Sequence, residues 1–515
     1  ITFKGKLLNE KRSEEKRTFF TQLNDSLDIH YEHSELESID FKSDPLLPHM
    51  FSKMGPGMAV GDVTGDGLED IIIGGSSGKK ATKLVQNLNG TFSSQEIIDE
   101  DFFREDMGIA LFDSDGDDDL DLYIVSGGND VKGEDSYYQD RFYVNNGKGD
   151  FTHLKESLPK MNQSGGVVRP FDFDKDGDVD LFIGGRLAPG FYPYPSTSYV
   201  LENIGENSFQ FLEGEVDGPL HRLGMVTDAV WTDFNRDGWF DLIVVGEWMP
   251  VTFIENRQGD FIDVTEQKIE KHSNGWWNSI TSGDFDADGD IDYILGNLGD
   301  NNQYHPSIEE PVEIFAKDFD SNGKVDPIIT QYIQGKRYSK FSLDVLVDQL
   351  KIMRKKFPNY EKFALTTFDD YFTPEELKGV YHLEAFTFSN SYMENLGNNN
   401  FDIKPLHSSL QIAPIFGATP LFLNDDEYLD LLAIGNQYSS DVIAGRNDAG
   451  KGYVLLGNGD GSFEALENDI SGVAISGDAK SLVQMSTRMG EVYLAAQNTG
   501  PLLAYGITTR QNKEV

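Results

Sequence analysis

A nine-residue acidic pattern, D-x-[D/N/T]-x-[D/N]-G-x-x-D, occurs six times in this chain and limits the folds open to it. It reads DVTGDGLED from Asp62, DSDGDDDLD from Asp113 and DFDKDGDVD from Asp172. It returns as DFNRDGWFD from Asp233, DFDADGDID from Asp284 and DFDSNGKVD from Asp318. The second copy has Asp118 where the others have Gly. The first four intervals are 51, 59, 61 and 51 residues, and the fifth is only 34. Self-similarity at such a period belongs to solenoids and propellers.

The flanks repeat with the loops. A short apolar run precedes each pattern, as in GMAVGD (57–62), GIALFD (108–113) and WNSITSGD (277–284). A second run follows it, as in DIIIGG (70–75), DLYIVSGG (121–128) and DLIVVGE (241–247). A third often ends near N-x-G before an aromatic residue, as in FYVNNGKGDF (142–151) and YVLENIGENSF (199–209). Four short runs punctuated by Gly and Asn predict one antiparallel four-stranded sheet per repeat. Such a sheet cannot bury both faces alone, and radial stacking of several solves that.

Two further units are degenerate. ATPLFLNDDEYLDLLAIG (418–435) keeps Asp430 but has Phe422 at the first acidic position, and residues 474–505 keep the runs without an acidic loop. Eight repeat units result, so the expected fold class is all-β, a seven- or eight-bladed β-propeller with calcium-binding loops and a small helical insertion. The final unit lacks an outer strand, which the segment Leu27–His33 is expected to supply. The expected organisation is an N-terminal segment over 1–48, a propeller over 49–510 and an insertion over 339–378. In the insertion Leu343, Leu346, Leu350, Met353 and Phe357 follow helical spacing. Thr373-Pro374-Glu375-Glu376 has the form of a capping box, which predicts a second helix. The basic run Lys351, Arg354, Lys355 and Lys356 reads as a solvated face tied to the acidic rim, with a partner-docking helix as the alternative.

The loop chemistry points to a hard cation. Carboxylates stand at positions 1, 3, 5 and 9, a backbone carbonyl is available at position 7, and Gly at position 6 permits the sharp turn. Ca2+ takes six to eight oxygens at about 2.3–2.6 Å, whereas Mg2+ demands strict octahedral geometry. No His or Cys occupies a ligand position, against zinc or copper. An EF-hand would need Glu at position 12, where this chain has Ile73, Ile124, Ile183, Val244, Leu295 and Ile329. The predicted ligands of the first three loops are Asp62, Thr64, Asp66, Leu68 and Asp70, then Asp113, Asp115, Asp117, Asp119 and Asp121, then Asp172, Asp174, Asp176, Asp178 and Asp180. Those of the last three are Asp233, Asn235, Asp237, Trp239 and Asp241, then Asp284, Asp286, Asp288, Asp290 and Asp292, then Asp318, Asp320, Asn322, Lys324 and Asp326. About six Ca2+ are expected, bound more weakly where Thr64, Asn235 or Asn322 replaces a carboxylate.

Composition excludes other classes. The net charge of −44 repels phosphate backbones, so nucleic acid is not an expected partner. With no Cys, disulfide scaffolds, zinc ribbons and thiol catalysis are excluded. No run approaches the roughly 18 apolar residues of a membrane-spanning helix. A start at Ile1 reads as a processed protein or a fragment. Free calcium at the level such loops need is found outside cells, so an extracellular, cell-surface or periplasmic location is expected.

The loops and their flanking strands resemble FG-GAP/VCBS repeats, the calcium-binding blade repeat of integrin α-chain propellers. Segments 224–251 and 275–299 are also similar to Bacteroidetes outer-surface repeat proteins of the cartilage-acidic-protein/UnbV-related group. The resemblance implies a binding or scaffold module for a protein or glycan ligand, within an outer-membrane nutrient-uptake or surface complex. The alternative is a calcium-dependent polysaccharide lyase or hydrolase on a propeller. No catalytic constellation is visible: the nine His are scattered, and His221-Arg222 is the nearest to one. Trp231, Trp239, Trp248, Trp276 and Trp277 are expected mainly in packing between blades. Tyr192, Tyr194 and Tyr199, set among prolines, are the best aromatic binding surface that the sequence offers.

Overall fold

A computed structural model of the protein describes residues 18–97, 102–129, 131, 135–212, 218–397 and 400–508. Most of the N-terminal segment expected over 1–48 is included, but residues 1–17 lie outside the described set. The described residues form an all-β propeller of seven antiparallel blades of four strands each, with Gly275–Trp276 added as a fifth strand to blade four. The first strands of the blades are Met58–Gly61, Glu105–Phe112, Ser164–Phe171, Met225–Thr232, Ser279–Gly283, Ile415–Leu421 and Ala479–Thr487. Each touches the next around the axis, and the seventh touches the first, so the ring is closed. Glycine permits this approach: a Cβ on Gly108 would lie 3.0 Å from the backbone of Val167 in the next blade.

Blade seven is completed from the other end of the chain. Its outer strand is Phe20–Gln22, paired antiparallel with Leu503–Ile507 so that Phe20 faces Ile507. The segment expected in that role behaves differently. Leu27 packs in the core, and Glu32–His33 pairs with Gly500–Pro501 as a separate two-stranded ladder. Three residues of extended chain suffice for the closing strand because Phe20 is buried against Tyr493, with ring centroids 5.7 Å apart.

The count of eight units is corrected by one sheet. Residues 297–390 rise between the second and third strands of blade five, Asp292–Gly296 and Ser391–Asn395. Within them lies a sheet ordered Lys336–Ser339, Asp326–Ile333, Val312–Lys317, Tyr381–Ala385. The sixth acidic loop therefore belongs to an inserted sheet outside the ring, and this accounts for the short 34-residue interval. Three short helices follow, Leu343–Gln349, Met353–Lys356 and Tyr360–Leu365, before the chain returns to Tyr381–Ala385. The capping box at Thr373 forms its bonds, with Thr373 N donating to Glu376 Oε2 at 2.7 Å, yet no helix follows it. Of the basic run, Lys356 pairs with Glu376 and donates to Tyr371 O.

The acidic loops of blades one to five join first to second strands, so these five lie on one face of the ring. The insertion leaves from the opposite face. There it packs with the N-terminal segment in one apolar cluster that includes Leu46, Phe51, Tyr192, Trp248, Trp276, Leu346 and Phe357. Asp40 holds the N-terminal segment in place by accepting from Phe51 N at 2.8 Å and Ser52 N at 3.2 Å. Among the described residues no helix is long and apolar enough to cross a membrane.

Candidate metal centres

Each acidic loop is wound by its own side chains. In the first, Asp62 Oδ1 accepts from Gly65 N at 2.8 Å and Asp62 Oδ2 from Gly67 N at 2.7 Å. The position-5 side chain accepts from the position-7 amide, as Asp66 does from Leu68 at 3.0 Å and Asp237 from Trp239 at 2.7 Å. Two residues per loop are left-handed. Position 6 has φ +83° at Gly67 and +90° at Gly289, and position 4 has φ +64° at Lys175, +57° at Arg236 and +60° at Ala287. The sequence reading anticipated position 6 alone. Position 4 carries no common residue type, so nothing in the sequence marked it.

The position-9 aspartates are buried and tie each loop to its sheet. Asp70 accepts from Val63 N at 3.2 Å and from Gln86 N on the third strand at 2.9 Å. Asp292 does the same with Phe285 N and Asn395 N. The Asn that ends the third strand then reaches the neighbouring blade. Nδ2 of Asn145, Asn203 and Asn256 donates to the carbonyls of Val63, Ser114 and Phe173 at 2.8–2.9 Å. These asparagines were missed as functional residues, although the repeated N-x-G was their signal. Asp430 keeps both bonds, from Leu423 N and Gly457 N, in the loop that has lost its first aspartate. The position-9 carboxylate thus has a structural task independent of any ion.

Oxygens converge in four loops. Asp172, Asp174 and Asp180 bring one carboxylate oxygen each within 4.8 Å of one another, as do Asp284, Asp286 and Asp292, and Asp318, Asp320 and Asp326. In the second loop the converging group is Asp113, Asp115 and Asp117. Asp121 is drawn aside there, accepting from both Ser114 N and Ser114 Oγ. The first and fourth loops gather no such triad, because position 3 is Thr64 or Asn235. Asp176, Asp178, Asp288 and Asn322 line the same turns, and Lys324 at position 7 extends its ammonium to Ser43 O at 3.2 Å.

Buried carboxylate oxygens in these loops lack a hydrogen-bond partner: Asp172 Oδ1, Asp180 Oδ2, Asp241 Oδ2, Asp284 Oδ1 and Asp320 Oδ1. So do Asp119 Oδ1 and Asp290 Oδ1 at position 7, which was expected to offer only a carbonyl. Burial pushes the Asp180 and Asp241 carboxyls up to about 7, with neighbouring aspartates adding to the shift. A divalent cation would satisfy the orphaned oxygens and relieve the repulsion, so the donor set fits Ca2+. Cationic side chains bridge neighbouring loops: Lys175 lies over the Trp239 ring at 4.1 Å, and Arg236 Nη2 donates to Gly289 O at 2.9 Å.

The aromatic surface predicted around Tyr192 is corrected. Tyr192 is buried and donates to Glu247 Oε1 at 2.7 Å, while accepting from Trp248 Nε1 at 2.6 Å. Tyr199 is buried as well, and Tyr194 stacks on Tyr381 of the insertion at 4.7 Å. Glu247 Oε2 accepts from Arg186 Nη2 at 2.5 Å and from His49 Nε2 at 3.0 Å. Trp277 lies in the cluster between blades four and five, whereas Trp248 and Trp276 pack beneath the insertion. His221 lines a cleft of about 230 Å³ with Met161, Tyr199 and Phe211, and no carboxylate lines it among the described residues.

One family match agrees with the repeat. None of the curated proteins compared with the chain matches it in sequence. Among solved structures, an Agrocybe aegerita lectin described for specific recognition of non-reducing terminal N-acetylglucosamine is 14% identical. That alignment covers 90% of each chain with a TM-score of 0.42. Saccharomyces cerevisiae Sqt1 is 10% identical over 87% of this chain and 83% of its own, with a TM-score of 0.37. The FG-GAP-like repeat family matches residues 62–124 and 233–295. Each match opens on the first aspartate of one acidic loop and runs through the next, so the chain carries FG-GAP-like repeats at two places.

Proposed function

We propose that this chain is a calcium-stabilised propeller, located outside the cell or at its surface, that binds a macromolecular ligand, protein or glycan. The observation that carries the calcium reading is the convergence of three carboxylates in four loops together with buried oxygens that have no partner. Bound Ca2+ supplies charge compensation and fixes the loops. The residues proposed to hold it are those of the six acidic loops, with Asp119 and Asp290 also offering side-chain oxygens. The aspartates are committed to these loops, and the reading is of a protein that binds without chemical turnover. An outer-membrane uptake or surface complex, of the kind found in UnbV-related Bacteroidetes proteins, is the proposed setting, on the strength of the repeat resemblance alone.

Thermal unfolding in about 1 mM Ca2+ and in excess EGTA tests the calcium reading, with bound metal counted by elemental analysis. A filled site adds about 2.7 kcal/mol at one hundred times its dissociation constant. A large drop in Tm in EGTA and about six ions per chain are expected, with Asp284→Asn losing one ion. Equal melting curves and no bound metal would overturn the reading. Ligand binding is tested separately, with a glycan array and a pull-down from cell-surface extract.

A further inference from the structure

Among the described residues, buried polar atoms without a partner concentrate in two places. One is the acidic loops. The other is a cavity of about 320 Å³ on the opposite face, where the N-terminal segment, the insertion and the 437–447 loop of blade six meet. His49 Nδ1 and Trp276 Nε1 are buried there without a hydrogen bond, Gln303 and Lys340 lie against the Tyr304 hydroxyl, and Ser439 Oγ lies unpartnered nearby in the chain. His49, Trp276 and Tyr304 are only 5%, 6% and 4% exposed. A buried polar group left unpaired is destabilising, so such groups around one space call for an occupant.

The chemistry of that occupant can be read from its surroundings. Glu247 Oε2 takes one ring nitrogen of His49, Nε2, and leaves Nδ1 free for another partner. Trp276 and Gln303 present donors, and the Tyr304 hydroxyl can do either. Of the charges at the cavity, Lys340 pairs with Asp441 and Glu247 with Arg186, and Arg446 lies over the Tyr438 ring at 4.7 Å. The Trp276 and Tyr304 rings, 5.6 Å apart, offer flat apolar surface beside these groups. Polar groups of several kinds next to aromatic rings match a polyhydroxylated ring. The volume lies at the lower end of the roughly 300–1,000 Å³ range of small-ligand pockets.

We infer that this cavity binds one sugar ring, the end residue of a glycan. The inference rests on the binding-module reading and names its ligand class and site. The test titrates the full calcium-loaded chain by calorimetry with neutral monosaccharides: glucose, galactose, mannose, fucose, N-acetylglucosamine and N-acetylgalactosamine. Tyr304→Phe and Gln303→Met are measured beside the wild type. One-site saturable binding is expected for at least one sugar, weakened about tenfold or more in either variant. Melting curves without sugar check that both variants fold. Sugar binding that is equal in wild type and variants overturns the cavity but leaves the binding module standing. If no sugar binds, the cavity holds water only and the inference falls. The broader reading then stands or falls on the array and pull-down.

Discussion

At the residue scale, Glu247 joins three parts of the chain. It sits in a blade-four strand and accepts from His49 of the N-terminal segment, Arg186 of blade three and Tyr192 of the following loop. Burial pushes its carboxyl up, but the charges of His49 and Arg186 outweigh this and hold it down at about 2. A depressed carboxyl stabilises the fold above its unfolded value of about 4.5, and the contribution is lost as pH falls toward 2. Glu247→Gln leaves Arg186 without its charge partner, and a loss of about 3–5 kcal/mol is expected at pH 7. The gap between wild type and variant should narrow below about pH 4.5, which urea unfolding across pH would show. A gap independent of pH would mean that packing, and not the charge, carries the effect. The sequence showed no sign of this role, because Glu247 stood at the end of an apolar run. Nor did it mark the left-handed residues at position 4, where Lys175, Arg236, Ala287 and Ser321 share no chemistry.

At the scale of elements, the acidic loops were legible because their aspartates recur at fixed spacing with strands on either side. Assigning the sixth loop to a blade failed for a physical reason. The loop and its two strands form the same hairpin wherever they occur, and only pairing partners distant in sequence place that hairpin in the ring or outside it. Val312–Lys317 pairs with Tyr381–Ala385, across the helices, whereas Asp292–Gly296 waits for Ser391–Asn395. The closing strand escaped for a similar reason, since Phe20–Gln22 is too short to show a period. Its anchor can be tested. Phe20→Ala should cost about 3–5 kcal/mol and speed amide exchange over Leu503–Ile507. Unchanged exchange there would remove Phe20 from the closure of blade seven.

At the scale of the molecule, the two faces of the ring differ in kind. One carries the acidic loops of the blades, and the other is covered by the N-terminal segment and the insertion. With a net charge of −44, the metal-free chain repels itself. Raising salt from about 0.01 M to about 1 M shortens the screening length from about 30 Å to about 3 Å. Salt should therefore raise Tm more in EGTA than in Ca2+. The same gain under both conditions would show that loop repulsion does not govern stability.

The seam in blade seven also sets a schedule. Thr21 and Thr508, bonded side by side at the seam, are 487 residues apart in the chain. At about 5–20 residues per second, the ribosome takes roughly 25–100 seconds to deliver the partner strand. Until then the first strand waits while six blades emerge. A strand of three residues with two polar side chains is a poor template for pairing with other chains during that wait. Its shortness lets the last step of ring closure be late without leaving a long adhesive edge in the nascent protein.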